Sequence, residues 1–358
     1  MKAFVLTGHG GMDKLVYRDV PTPVPGAGDV LIRVLACGLN NTDVNTRSGW
    51  YSKQVTEPTT GDAHDEVGSE DPSWGGAAIS FPRIQGADVC GRVEAVGAGA
   101  DPGLIGKRVL IDVWLRDWDN PNDLDRTGYF GSECDGGFAE FTVVGEKQVH
   151  VVDSTLSDAE LATFATSYIT AENMLNRANV TRDDRVLVPG ASGGVGSALV
   201  QLAKRRGAFV IAMASAAKHQ GLKAFSPDAL LPRSPNDLSA ALSEATGQGD
   251  VSVVADVVGG AGFTPLLEVL QRGGRYTCAG AIAGPIVDFD LRTFYLNDLT
   301  MTGATIVPPG VFADLVGYIE RGEIKPVLAE TYPLKDLHKA QEAFIAKKHV
   351  GNIVVIPD

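Results

Sequence analysis

The chain has no C-x-x-C pair. Its four cysteines, Cys37, Cys90, Cys134 and Cys278, stand alone, so neither a zinc knuckle nor a paired redox centre is encoded locally. The six histidines show no metal-ligand spacing. No apolar run approaches the roughly 18 residues that a bilayer-spanning helix needs. The opening Met1-Lys2-Ala3-Phe4-Val5-Leu6 runs into a strand-like pattern without the apolar core of a signal peptide. Positive charge is also scarce: 31 Lys and Arg face 44 Asp and Glu, a net charge of −13. These absences argue against nucleic acid and membrane as partners. The expectation is a cytoplasmic protein acting on a small-molecule substrate. With 358 residues, 44% of them apolar, the chain is long enough for two domains with cores of their own.

Glycine is abundant, and one cluster is placed to bind phosphate. The apolar run Arg185-Val186-Leu187-Val188 leads into Gly190-Ala191-Ser192-Gly193-Gly194-Val195-Gly196. Apolar residues then recur at helical spacing, at Val195, Ala198, Leu199, Leu202 and Ala203, up to Gly207. Phe209-Val210-Ile211-Ala212-Met213 is the next apolar run. Strand, glycine turn, helix, strand is the setting in which such a turn binds a dinucleotide. Glycines let the backbone approach the pyrophosphate, and the helix N-terminus offers N–H groups and a positive dipole end. Of the three G-x-G-x-x-G places, Ala191 fills the first and Gly193 and Gly196 the others. Gly190 just before supplies the tight turn. Gly190, Ala191, Ser192, Gly193, Gly194 and Val195 are therefore the expected cofactor residues of this turn.

NAD sites usually carry Asp or Glu about 20 residues on, to hold the ribose 2′-hydroxyl. Here the second strand ends in Ala212-Met213-Ala214-Ser215-Ala216-Ala217-Lys218, with no acid. Ser215 and Lys218 suit a 2′-phosphate instead, so the expected cofactor is NADPH. The competing account makes Ser215 a helix cap and Lys218 a solvated charge; the two are compatible.

Residues 1–154 read as short strands with Gly/Pro turns, the pattern of a largely antiparallel, barrel-like domain. Val30–Val34, Gly91–Val96 and Arg108–Val113 are its clearest strands. Residues 155–307 alternate strands with helices, as in a doubly wound α/β sheet. Val251–Asp256, Arg275–Ala279 and Leu299–Thr302 are its later strands, and Phe263–Gln271 is a helix. Residues 308–358 end in the apolar run Asn352–Ile356, which is expected to return to the first domain. Residues 52–80 break the rhythm. They carry Glu57, Asp62, Asp65, Glu66, Glu70 and Asp71 against Lys53 alone. A stretch of this kind is either a lid over the site or plain disorder, and Trp74 with Gly75-Gly76 favours the lid. The polar loop Arg116–Arg126 reads as a surface excursion.

This organisation resembles the medium-chain dehydrogenase/reductase superfamily over nearly the whole chain. Cys37-Gly38-Leu39-Asn40-Asn41-Thr42-Asp43 stands where the zinc alcohol dehydrogenases have C-G-x-C-H-T-D, with Asn40 in place of a zinc-binding cysteine. Gly86-Ala87-Asp88 stands for their G-H-E, with Ala87 in place of a zinc-binding histidine. A catalytic zinc needs three protein ligands, so no metal is expected. Asn40, Asp43, Arg47, Gly49 and Tyr51 match instead the N-x-x-D-x-x-x-R-x-G-x-Y of the zinc-free quinone oxidoreductase branch. The resemblance implies a GroES-like catalytic domain beside a Rossmann domain. It places Gly280 and Ala281, like Asp256–Gly260, beside the nicotinamide.

It also implies hydride transfer from NADPH to a quinone or an α,β-unsaturated carbonyl. Charge then collects on the substrate oxygen, where hydrogen-bond donors suffice without a Lewis acid. Tyr51 is the candidate donor and proton source, or alternatively a pocket wall. Asn40 is the candidate for orienting substrate or nicotinamide amide, or alternatively a helix cap. Asp43 and Arg47 are expected to form a structural ion pair at i,i+4 spacing. Trp50, Trp74, Trp114 and Trp118 fit pocket, core and surface roles equally. Two rival readings stand beside this one. One is reduction of an enoyl thioester, which an acidic loop at the mouth would disfavour. The other is a non-catalytic NADPH-binding protein of the same fold. A homodimer through Leu299–Gly303 is expected.

Overall fold

The computed structural model describes residues 1–64, 67 and 78–358. The first region is antiparallel. Strands β1 (Lys2–Leu6) and β2 (Leu15–Asp19) form a hairpin. The long strand β3 (Asp29–Gly38) leads into helix α1 (Asn41–Ser48), and β4 (Asp88–Val96) and β5 (Arg108–Ile111) follow. A small arm is made by β6 (Trp114–Leu115) and β7 (Gly128–Tyr129). Then come β8 (Phe141–Gly145) and β9 (Val149–Val151). β3 organises the sheet, pairing with β4 along one side and with β8 on the other. Val30, Ile32, Val34, Ala36 and Cys37 of β3 are buried. Arg33 faces outward, in reach of Glu94 at 3.2 Å and 4.6 Å above the Phe141 ring.

The second region begins with α2 (Ala165–Arg177) and β10 (Arg185–Val188). Helix α3 (Gly194–Arg205), β11 (Phe209–Ala214), β12 (Ala229–Pro232), β13 (Val251–Asp256), α4 (Phe263–Glu268), β14 (Leu270–Cys278) and β15 (Thr300–Gly303) follow. Its six strands are parallel, in the order β12-β11-β10-β13-β14-β15. The order reverses between β10 and β13, and doubly wound sheets bind ligands at that crevice. Both faces of the sheet are covered, which explains the uninterrupted apolar runs read from the sequence. Val186 and Val188 pack to one side with Leu199 and Val210, and Leu187 packs to the other with Ile211, Leu242 and Phe263.

The predicted helix Phe263–Gln271 stops at Glu268. Leu270 belongs to β14, drawn in by pairing with Val251, whose N–H donates to the Val269 carbonyl at 2.9 Å.

Helix α5 (Val311–Glu320), β16 (Leu328–Pro333), α6 (Leu337–Ile345) and β17 (Asn352–Ile356) complete the described chain. β17 joins the first sheet, antiparallel to β3, with Val354 opposite Gly38 and Val355 opposite Cys37. Just before it, Gly351 donates its N–H to the Ser192 carbonyl in the glycine turn at 2.9 Å. One short segment thus ties the first sheet to the nucleotide domain. Among the described residues no helix is long and apolar enough to cross a membrane.

The described part of 52–80 is mostly exposed but anchored at a few points. Val55 is buried, Trp50 Nε1 donates to the Glu57 carbonyl at 2.9 Å, and the Thr59 N–H reaches across to the Ile282 carbonyl at 3.0 Å. Asp65, Glu66, Glu70, Asp71, Trp74, Gly75 and Gly76 lie outside the described residues. The loop Arg116–Arg126 is anchored by Arg116, which donates to the Val307 carbonyl at 2.6 Å.

Candidate active site

A cleft of about 600 Å³ runs between the two regions. Gly190, Ser192, Gly193, Gly194 and Val195 line one wall, with Ser215, Lys218, Gly280 and Ala281 along the same strand ends. Asn40, Tyr51, Trp50, Trp114 and Tyr129 line the other. Ala191 is fully buried beneath the turn, its N–H given to the Met213 carbonyl at 3.0 Å.

The turn has the shape a dinucleotide requires. Gly190 has φ +63°, a left-handed conformation that glycine adopts without penalty. A Cβ on Gly196 would lie 2.2 Å from the Gly190 carbonyl oxygen, so only glycine lets α3 start this close to β10. The first turn of α3 carries no acid and its N-terminus faces the cleft, which suits a pyrophosphate.

Charge points the same way. In a chain of net charge −13, no carboxylate is among the described residues lining the cleft, whereas Lys53, Lys218, Arg233 and Lys347 are. Lys218 Nζ donates to the Lys347 carbonyl at 2.6 Å, and Lys347 Nζ donates to Asn41 Oδ1 at 2.8 Å. Burial and then the Arg233 charge lower the Lys218 pKa. Lys347 still touches solvent, but its crowded surroundings, and then the Lys218 charge, push its ammonium down towards about 7. His349 beside them is pushed down to about 4, first by burial. Clustered cations that weaken one another's protonation favour a bound anion. Ser215 precedes a short 3₁₀ turn but makes no side-chain capping bond, which leaves its hydroxyl facing the cleft. Arg233, Lys347 and His349 were not legible in the sequence, because no motif spacing joins them to the glycine turn.

At the opposite end, Asn40 caps α1: its N–H donates to Asp43 Oδ2 at 2.7 Å. The Asn40 carboxamide lines the cleft and lies against the buried Asp88 carboxyl, whose ionised form it favours. Capping and site exposure therefore coexist in one residue. Tyr51 is half-buried with its ring 5.7 Å from that of Trp50, edge to face. Burial raises its pKa, while hydrogen bonds from Thr42 and Asn45 draw it back. The phenol is thus held neutral at the cleft wall.

The expected Asp43–Arg47 ion pair does not form. Asp43 is occupied by the N–H groups of Asn40 and Gly86. Arg47 is wholly buried and donates to Gln341 Oε1 at 3.1 Å, the Gly10 carbonyl at 2.8 Å and the Gly61 carbonyl at 3.1 Å. Helical i,i+4 spacing permits the pair, but two carbonyls and one side-chain oxygen from three other segments converge on the guanidinium. Trp50 and Trp114 line the cleft, whereas Trp118 lies under Lys147, whose ammonium is 5.4 Å from the ring.

In the sequence Asp88 stands out only as part of Gly86-Ala87-Asp88. It is buried and accepts the Thr166 N–H at 2.9 Å together with the Thr166 hydroxyl. Burial pushes its carboxyl up to about 6 and that of Asp43 up to about 7. Among the described residues no group of three or more His, Cys, Asp or Glu is arranged to hold a metal ion.

Residues 26–154 match the family model "Alcohol dehydrogenase GroES-like domain" and residues 194–321 match "Zinc-binding dehydrogenase". The structure is similar to a solved putative alcohol dehydrogenase from Sinorhizobium meliloti 1021, with a TM-score of 0.90 and 46% identity over 100% of this chain and 97% of that one. Acryloyl-coenzyme A reductase of Metallosphaera sedula is 27% identical over 99% of each chain. Human quinone oxidoreductase is 26% identical over 96% of this chain and 94% of its own.

Proposed function

This chain belongs to the medium-chain dehydrogenase/reductase superfamily, and from that membership we propose that it is a zinc-independent, NADPH-dependent reductase of quinones and α,β-unsaturated carbonyls. The observation that carries the reading is one cleft with a phosphate-binding glycine turn at one end and hydrogen-bond donors at the other, with no metal-ligand cluster among the described residues. The N-terminus of α3 holds the pyrophosphate. Ser215, Lys218, Arg233 and Lys347 hold the 2′-phosphate as donors of charge-assisted hydrogen bonds. When bound, the reduced nicotinamide supplies a hydride. Tyr51 donates a hydrogen bond to the substrate oxygen as charge develops there, and the Asn40 carboxamide on the cleft wall orients an amide or carbonyl. Trp50, Trp114 and Leu39 exclude water and align the reacting carbons.

A second reading has its own support. With Lys53 on the rim and no described carboxylate lining the cleft, an anionic enoyl thioester is the runner-up substrate, in line with the likeness to acryloyl-coenzyme A reductase. Oxidation of NADPH and NADH followed at 340 nm across quinones, enones and enoyl-coenzyme A thioesters decides the matter. Turnover confined to thioesters would replace the first reading with the second. Tight NADPH binding with no turnover on any of the three classes would leave a non-catalytic binding protein.

A further inference from the structure

Tyr129 has no role in the reaction described so far. It ends the arm formed by β6 and β7, lines the cleft, and packs edge to face on Trp114 with ring centroids 5.4 Å apart. Its hydroxyl lies 2.6 Å from Thr166 Oγ1. Thr166, in the first turn of α2, hydrogen-bonds Asp88 Oδ1 through both its N–H and its hydroxyl. Three segments far apart in sequence thus build one chain of hydrogen bonds, from a buried carboxyl to the wall of the cleft.

Such a chain points one way at a time, because each hydroxyl has a single proton to give. With Asp88 ionised, Thr166 donates to Asp88 and Tyr129 donates to Thr166, so the phenolic proton faces away from the cleft. With Asp88 protonated, the order inverts and the phenolic proton faces the cleft. Tyr51 lacks this arrangement: its partners are Thr42 and Asn45, and among the described residues neither side chain is hydrogen-bonded to a carboxyl that could resupply a proton.

We propose that Tyr129 is the acid that protonates the substrate oxygen, and that Thr166 and Asp88 are positioning residues that load and aim its proton. The proposal rests on the hydride-transfer reading above. Hydride adds to the substrate carbon, and the displaced π pair moves to the substrate oxygen. The Tyr129 O–H bond breaks as the new substrate O–H bond forms. Thr166 passes its proton to the phenolic oxygen, the Asp88 carboxyl passes its proton to Thr166, and Asp88 is left ionised. Water entering the emptied cleft returns a proton through the same hydroxyls. Burial supports the assignment by holding Tyr129 well above the usual tyrosine range and Asp88 up to about 6. The titratable groups facing Asp88 are Asp43, Cys37 and Tyr129, with Tyr51 beyond Tyr129. Asp43, pushed up to about 7 first by burial and further by the Asp88 charge, stays neutral while Asp88 titrates.

The test compares the wild type with Thr166→Val, Thr166→Ser and Tyr129→Phe. In the wild type, kcat for enone reduction falls as pH rises above the range set by Asp88 and Asp43. Thr166→Val and Tyr129→Phe lower kcat by about a hundredfold, the lower end of general acid catalysis, shift KM little, and lose that limb of the profile. Thr166→Ser restores both. A second readout needs no turnover. Acetophenone, a neutral carbonyl, is titrated against tryptophan fluorescence over the same pH range; its affinity falls with rising pH in the wild type and is flat in Thr166→Val. Wild-type turnover with an unchanged kcat and pH profile in Thr166→Val overturns the proposal. An inactive wild type whose acetophenone affinity still follows pH through Thr166 refutes the reductase reading and leaves the directional chain intact. An inactive wild type with pH-independent affinity overturns both.

Discussion

The ammonium of Lys218 donates to the main-chain oxygen of Lys347 at 2.6 Å, so two lysines from opposite ends of the second half of the chain meet at one end of the cleft. With Ser215 and Arg233 beside them, they set the expected cofactor choice. NADPH should bind at least about tenfold more tightly than NADH, the worth of one charge-assisted contact. Ser215→Asp should reverse the preference. Fluorescence titration of both cofactors checks this, and equal affinities would sink the assignment. Because the Lys347 ammonium is pushed down towards about 7, NADPH affinity should weaken as the pH rises through that value, and NADH affinity should respond less.

Activity should survive chelation. Asn40 and Ala87 fill two of the places where zinc-dependent relatives hold the metal, and a catalytic zinc needs three ligands. Metal analysis of the purified protein together with an assay after dialysis against a chelator tests this. One stoichiometric zinc whose removal abolishes turnover would contradict it.

β15 is the outer strand of the nucleotide sheet, with Thr300, Met301 and Gly303 exposed. Ile286, Phe289, Leu291 and Leu296 also lie on the surface. An unpaired strand edge together with exposed apolar side chains favours pairing with a second copy, so a homodimer is expected. Met301→Lys should yield monomers that still bind NADPH. Light scattering showing a monomeric wild type would overturn the expectation.

Asp43 and Asp88 make a prediction about stability. Their folded pKa values are raised by burial, to about 7 and about 6, so between about pH 4 and pH 7 the folded chain holds protons that the unfolded chain has released. Their contribution is fully present below about 4 and is lost as the pH rises through the folded values. A shift of two units corresponds to roughly 3 kcal/mol. Urea midpoints should therefore fall over this window, and Asp88→Asn should flatten the slope. A wild-type slope retained in Asp88→Asn would show that Asp88 does not set it.

What could be read from the sequence was local. Gly190–Gly196 announced a turn because the flanking apolar runs have different periods, and Leu187 against Val186 and Val188 shows both faces of the strand buried as expected. Asn40 and Tyr51 entered through a short motif. The i,i+4 rule misled at Asp43 and Arg47, since spacing along one helix cannot reveal that Gly10, Gly61 and Gln341 converge on the arginine. Tyr129, Thr166 and Asp88 share no motif and meet only through the folding of the arm onto β4 and α2. Arg233 and Lys347 are brought to Lys218 in the same way.

The pairing of Cys37 with Val355 dictates an order of events during synthesis. Strands β10 to β15 follow one another along the chain, so the nucleotide sheet can close while translation continues. The first sheet cannot: an edge of β3 emerges early and must wait for β17, among the last segments described. Non-local pairing of this kind slows folding and exposes an unpaired edge meanwhile. The edge of β3 at Cys37 and Gly38 therefore reaches its native pairing later than strands that follow it in the chain. A nascent chain stalled before Asn352 should present a formed nucleotide domain beside an unfinished first sheet open to chaperones.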